Sequence, residues 1–190
     1  MARWEPNTRA RLELAALELF VERGYDQTTV AEIAERAGLT KRTFFRYFAD
    51  KREVLFGGQD VLVRLFTEGI AAAPEQATPL ETIGAALEAG SVVFEQARRA
   101  LSRKRQVIVA DHRDLREREL LKATSLTETM REALRERGVP DTTANLASTV
   151  GSLAFTAAFE RWIAPDGNPD FAALAGEALD ELRKSVTELG

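Results

Sequence analysis

Apolar residues recur at helical spacing along almost the whole chain. Over residues 8–23, Leu12, Ala15, Ala16, Leu19 and Phe20 fall at i, i+3, i+4, i+7 and i+8, the stripe of a first helix that Gly24 stops. Thr28 or Thr29 caps a short second helix, in which Val30, Ile33, Ala34 and Ala37 repeat that spacing. Gly38 breaks it, Leu39 follows as an apolar plug, and Thr40 caps a third helix over KRTFFRYF. Asp50, with Glu53 three residues on, has the pattern of a capping box and predicts a fourth helix running to about Ala73, before Pro74. Gly57 and Gly58 then fall inside that helix, where each costs about 1 kcal/mol against Ala, and mark a hinge.

The same punctuation continues. Thr78-Pro79-Leu80-Glu81 joins an N-cap, a proline at the first helical position and an acidic third position, so a fifth helix is expected over 79–99. A sixth follows over 103–112, a seventh over 114–137 ending at Gly138, an eighth over 142–163, and a ninth from Asn168-Pro169 to the C-terminus. No segment of useful length alternates with a period of two. The expected fold class is all-α: a three-helix N-terminal unit followed by a helical bundle, about nine helices in total. The expected division is 1–50 for the three-helix unit, with its helix-turn-helix at about 29–48, and 51–190 for the bundle.

The eighth helix is apolar on two sides. Leu146, Val150, Leu153 and Ala157 line one face, while Phe155, Phe159 and Trp162 line nearly the opposite one. A helix with two apolar faces needs two partners. The ninth adds Phe171, Leu174, Ala175, Ala178, Leu179, Leu182, Val186 and Leu189 in one broad stripe. A dimer interface is therefore expected on Leu146, Val150, Leu153, Leu179, Leu182 and Val186; the alternative is a thick monomeric core that uses both faces.

Composition narrows the chemistry. With 190 residues, 45% of them hydrophobic, the chain can bury a substantial core. It has no Cys and one His, His112, which starves zinc sites and removes thiolate nucleophiles, so neither a metal nor a cofactor is expected. The N-terminus lacks a signal-peptide pattern and no apolar run approaches the roughly 18 to 20 residues of a membrane span, which points to a cytoplasmic protein with no membrane partner. Carboxylates are plentiful, but no pair is set apart in apolar surroundings and no Ser has a recognisable base, so an enzyme is not expected.

Net charge is −4, yet residues 36–52 carry Arg36, Lys41, Arg42, Arg46, Lys51 and Arg52 against Asp50 alone, a local +5. With Phe44 and Phe48 packed inward, Lys41, Arg42, Phe45 and Arg46 share an exposed face of the third helix, with Thr43 beside it. Such a face suits a major groove about 12 Å wide, offering cations, a hydroxyl and an apolar group for thymine methyls. Thr40 adds a hydroxyl, backbone N–H groups and the positive end of the helix dipole where a phosphate can sit.

The run TTVAEIAERAGLTKRTFFRYFADKREVL, residues 28–55, closely resembles the signature of the TetR family of transcriptional regulators, and FVERGYDQTTV with the first helix extends the likeness back to about residue 8. The resemblance implies base contacts from Lys41, Arg42, Thr43 and Arg46, phosphate contacts from Tyr47 and Lys51, and phosphate contacts at helix starts from Thr28, Thr29 and Thr40. Where the family usually has Tyr this chain has Phe45, so a methyl or sugar contact replaces a phosphate hydrogen bond there. It further implies a homodimer on double-stranded operator DNA, with the last two helices as its interface, that represses until a small-molecule effector releases it. The effector is expected to be apolar or amphiphilic, in a cavity of helices four to eight walled by Phe66, Phe94, Ile108, His112, Leu115, Thr124, Thr127, Phe155, Phe159 and Trp162.

Arg98, Arg99, Arg103, Lys104 and Arg105 read first as a solvated turn, and second as a seat for the anionic end of an amphiphile such as an acyl thioester of coenzyme A. The alternative for the whole chain is a helical small-molecule-binding or scaffold protein without operator binding. The structural role of a half-exposed histidine is likewise the alternative to a ligand contact for His112.

Overall fold

The computed structural model describes residues 8–165 and 167–188. Among them the chain forms α1 (Thr8–Arg23), α2 (Val30–Arg36), α3 (Lys41–Tyr47), a 3-10 turn at Arg52–Leu55, α4 (Gln59–Ala72), α5 (Pro79–Ser91), α6 (Gln96–Asp111), α7 (Arg113–Glu136), α8 (Asp141–Ile163) and α9 (Phe171–Glu188), with no strand. The all-α class is as the periodicity predicts. Leu189 of the last stripe and residues 1–7 of the expected N-terminal domain lie outside the described residues.

Three boundaries differ from expectation. The carboxylate of Asp50 does cap, accepting from the N–H groups of Arg52 and Glu53 at 2.8 and 3.2 Å, but what it caps is the 3-10 turn. Gly57 and Gly58 end that turn and α4 opens only at Gln59, so the glycine pair lies between two elements and the helix-interior penalty does not apply to it. The fifth helix stops at Ser91, and α6 begins at Gln96. The paired β-branched Val92 and Val93 resist the helix, and Phe94 turns into the interior from the connection between them.

The chain divides into two compact units. The first runs to Gly58 and takes in Leu101–Glu119, from the second part of α6 and the first part of α7; the second comprises Gln59–Ala100 and the chain from Leu120 onward. Ile108, Val109 and Leu115 bring 101–119 into the first unit, in one buried cluster with Leu12, Leu19, Phe20, Tyr25, Ile33, Phe44 and Phe48. Polar bonds fasten it further. Arg105 donates to the carbonyl of Leu55 at 2.6 Å and pairs with Glu119 at 2.9 Å, and Arg118 pairs with Glu53 at 2.6 Å.

In the second unit α5 packs against α4, α8 and α9, and α8 against α9. Small residues permit the closest of these approaches. A Cβ on Gly69 would stand 2.8 Å from the carbonyl oxygen of Ala85, so α4 and α5 meet backbone to backbone there. Phe66, Ile70, Ile83, Leu87, Met130, Trp162 and Phe171 centre the cluster. No helix among the described residues is long and apolar enough to cross a membrane.

Candidate nucleic-acid interface

The turn between α2 and α3 is built by three local devices. Thr29 caps α2 reciprocally with Glu32: its hydroxyl oxygen accepts from the Glu32 N–H at 3.3 Å, and the Glu32 carboxylate accepts from the Thr29 N–H at 2.8 Å. At the other end of α2, Gly38 adopts φ +66°, and the N–H of Leu39 reaches the carbonyl of Ala34 at 2.8 Å. This left-handed residue is what redirects the chain, because any Cβ there is strained. Arg11 holds the turn from α1, donating to the Ala37 carbonyl at 2.5 Å. Thr40 then caps α3, its hydroxyl oxygen accepting from the Thr43 N–H at 3.1 Å.

Helix α3 has an inner and an outer face. Phe44 is fully buried and Phe48 nearly so, with ring centroids 5.3 Å apart, which anchors the helix by burial worth about 1.5 to 3 kcal/mol per side chain. Lys41, Arg42, Phe45 and Arg46 face out, and Phe45 is 48% exposed. None of these three cations pairs with a carboxylate among the described residues; Lys41 lies over the Phe45 ring at 5.9 Å, and Arg46 over the Tyr47 ring at 5.0 Å. The outer face is thus positive, with an apolar ring at its middle. Thr29 and Thr40 are exposed at helix starts, while Thr43 and Tyr47 are half-buried at the edge of that face.

The remaining cations of the +5 stretch are occupied. Arg36 forms two bonds to Glu22, the shorter at 2.8 Å, and Arg52 pairs with Asp50 at 2.7 Å. The Glu22 carboxyl is held below the usual glutamate range mainly by its hydrogen bond from Arg36. Lys51 is turned inward: its ammonium donates to the carbonyls of Tyr25 at 2.7 Å and Thr28 at 3.0 Å and lies 4.1 Å from the Tyr25 ring centroid. Burial pushes its pKa below the ordinary lysine value, against the opposing charges of Asp26 and Asp114. Thr28 is buried as well, its hydroxyl donating to the Gly24 carbonyl at 2.8 Å. Both residues, expected at phosphate, instead close the turn between α1 and α2, because each finds carbonyl acceptors inside the fold.

The expected effector walls fall in both units. Ile108 and Leu115 belong to the first unit's cluster, and His112 packs edge-on against Tyr25 at 5.0 Å with Nδ1 2.8 Å from the Ile108 carbonyl. Thr127 and the exposed Thr124 direct their hydroxyls one turn back, to the carbonyls of Ala123 and Leu120. Ile108, His112 and Leu115 thus pack within the first unit. Phe66, Phe94, Phe155, Phe159 and Trp162 do assemble, in the second unit, around Phe171. Phe171 is visible in the sequence only as one more member of an apolar stripe. Of the basic stretch 98–105, Arg99 is buried and donates to the carbonyl of Gly167 at 2.7 Å and to those of Trp162 and Ala164, while Arg105 is bound as described above.

On the outer faces of α8 and α9, Leu146, Leu153 and Val186 are 62%, 53% and 56% exposed, and Val150, Leu179 and Leu182 are half-buried. Phe155, Phe159 and Trp162, on the opposite side of α8, point into the cluster. The two apolar faces of the helix thus have different fates within one chain.

A capped helix, a left-handed glycine turn and a second helix whose basic face has no carboxylate partner among the described residues define a helix-turn-helix unit. Residues 14–56 match the sequence model of bacterial regulatory proteins of the tetR family. A curated relative is the HTH-type transcriptional regulator TcmR of Streptomyces glaucescens, 39% identical over 82 residues, which are 43% of this chain and 36% of that protein. The chain therefore matches about a third of that relative's length. Likeness of the fold extends further. The FadR regulator of Bacillus subtilis, solved with stearoyl-CoA, superposes with a TM-score of 0.62 at 21% identity over 91% of this chain and 96% of that one. FadR of Thermus thermophilus, a transcriptional repressor solved with lauroyl-CoA, gives 0.52 at 27% identity over 92% and 93%.

Proposed function

We propose that this protein is a sequence-specific transcriptional regulator, a dimeric repressor released from a palindromic operator when a small molecule binds the second unit. The observation that carries this reading is the outer face of α3, where Lys41, Arg42 and Arg46 have no carboxylate partner among the described residues, while Arg36 and Arg52 pair with carboxylates and Lys51 donates to backbone carbonyls. Unneutralised cations on a helix narrow enough for the major groove release counterions from DNA, and Thr43 and Phe45 supply base-edge contacts. Thr29 and Thr40, exposed at helix starts, and Tyr47 at the rim serve the phosphates. The first 50 residues act as the reading head, and residues 51–190 bind effector and partner.

One such motif reads few base pairs, so two copies a helical turn apart are required for specificity. Leu146, Val150, Leu153, Leu179, Leu182 and Val186 are the proposed dimer contact, supported by the exposure of Leu146, Leu153 and Val186 in the single chain. The effector is apolar or amphiphilic; the acyl-CoA complexes of the two FadR proteins support that class. Its binding acts on the head by a coupling of roughly 1 to 3 kcal/mol. Because 101–119 pack in the first unit, α6 and α7 are routes for that coupling in addition to the junction at Gly58.

Selection of bound sequences from a random DNA pool tests the function. A palindromic consensus is expected, and an Arg42→Ala, Arg46→Ala double variant that keeps its helical content should lose salt-dependent binding to it. Absence of any enriched sequence, or unchanged affinity in the double variant, would favour a helical binding protein that does not touch DNA.

A further inference from the structure

Among the described residues, two buried side-chain polar atoms lack a hydrogen-bond partner: the indole Nε1 of Trp162 and Oε1 of Gln59. Both belong to the second unit. Natural interiors satisfy the large majority of such groups, so an exception marks a place where a ligand or a water supplies the missing partner. Trp162 is fully buried, and Phe94, Phe159 and Phe171 surround its ring with centroids 5.3, 6.2 and 6.3 Å away.

Phe94 is unlike the other members of this group. It hangs from the short connection between α5 and α6, whereas Phe66, Phe155, Phe159, Trp162 and Phe171 all stand on helices. Its ring lies flat on Phe171, with centroids 3.8 Å apart and planes 9° apart, and meets Phe155 and Phe159 at steep angles at 5.7 and 6.1 Å. A ring stacked on one wall, angled against three others and held by an irregular segment occupies the place of an aromatic guest.

We propose that Phe94 is an internal plug in the effector site, and that the effector is an uncharged aromatic molecule with a hydrogen-bond acceptor, which displaces Phe94, stacks on Phe171 and accepts from Trp162 Nε1–H. This deepens, and rests on, the reading of the second unit as the effector-binding half. The acceptor is uncharged because the rings packed around Trp162 are apolar and an anion among them would lose its hydration without return. The guanidinium of Arg99 donates to the carbonyls of Trp162, Ala164 and Gly167. Displacing Phe94 also has a consequence along the chain, since α6 begins two residues later.

Two probes of nearly one shape test this on the full-length protein: benzophenone, and 1,1-diphenylethylene, in which a methylene group replaces the carbonyl oxygen. Calorimetry should show benzophenone binding at least tenfold more tightly, about 1.4 kcal/mol. In ¹H–¹⁵N spectra the indole N–H of Trp162, distinguished from that of Trp4 by a Trp4→Phe variant, should move downfield with the ketone and not with the alkene. Trp162→Phe, which keeps an aromatic ring, should abolish the discrimination, and Phe94→Ala should tighten benzophenone binding at least fivefold by emptying the site. Failure of benzophenone to bind, equal affinity for the two probes, or discrimination that survives Trp162→Phe would overturn the proposal, and so would weaker binding by a folded Phe94→Ala variant. None of these measurements involves DNA, so their failure leaves operator binding standing, and failure of the operator selection leaves the ligand result standing.

Discussion

The ammonium of Lys51 donates to the backbone carbonyl of Thr28 at 3.0 Å, across 23 positions of sequence, and so ties the entry of the 3-10 turn to the loop before α2. A second bond, to the Tyr25 carbonyl, completes the tie. Replacing Lys51 with Met keeps the aliphatic stem on the Tyr25 ring and deletes only the donors. Stability should fall by about 1 to 2 kcal/mol, read as a lower urea midpoint, because partly buried carbonyls are left without their donor. The salt dependence of DNA binding should stay as it is; a shallower slope with unchanged stability would return Lys51 to the phosphates.

The cations divide cleanly by partner, and salt titration separates them. Lys41→Ala should reduce the slope of log K against log salt by about 0.9 for each phosphate that Lys41 neutralises. Arg36→Ala should leave that slope unchanged, since Arg36 is already engaged by Glu22 and Glu18. Equal slope changes in both variants would mean that the ion pairs of Arg36 open on DNA.

Adjacent phenylalanines should behave in opposite ways. Phe44 is fully buried, so Phe44→Ala should cost about 3 to 5 kcal/mol of folding stability. Phe45 is 48% exposed, and Phe45→Ala should stay within about 1 kcal/mol in stability while weakening operator binding. Denaturant melts and DNA titrations of the two variants give the four numbers needed.

If α8 and α9 form the dimer contact, a Leu146→Glu, Leu153→Glu double variant should sediment as a monomer and retain its helical content. Both side chains are more than half exposed in the single chain, so the new charges meet water there and cost little until a partner must bury them. A double variant that remains dimeric would move the interface elsewhere.

Acid should loosen the head through its caps. The hydrogen bonds from Thr29, backbone first and hydroxyl second, hold the Glu32 carboxyl below its ordinary value of 4.5. A carboxyl with a lowered folded value stabilises the fold above the ordinary value and loses that contribution as pH falls through the lowered one. Glu32→Gln should therefore flatten the decline in melting temperature below about pH 4.5, measured by circular dichroism across an acid series. Wild-type and variant curves that stay parallel would remove Glu32 from the acid response.

Much of the head was legible in the chain itself, since its determinants are local. The helix starts at Thr29 and Thr40, the left-handed Gly38 and the inward Ile33, Phe44 and Phe48 all depend on residues within a few positions of one another. The extent of the fourth helix was not legible, because Asp50 makes the same capping bonds whether a 3-10 turn or a long helix follows.

What the sequence alone determined is the all-helical class, the placement of most helix starts and stops, and the basic outer face of α3, because periodicity, caps and side-chain charge are properties of neighbouring residues. Tertiary structure alone decided which charges are available and which aromatics meet. Lys51 turned inward because distant carbonyls accept from its ammonium, Ile108 and Leu115 joined the head's core, and Phe94, Trp162 and Phe171 came together from three separate parts of the chain. Such partnerships are long-range pairings of groups with no periodic signal, and only the folded chain brings them within bonding distance.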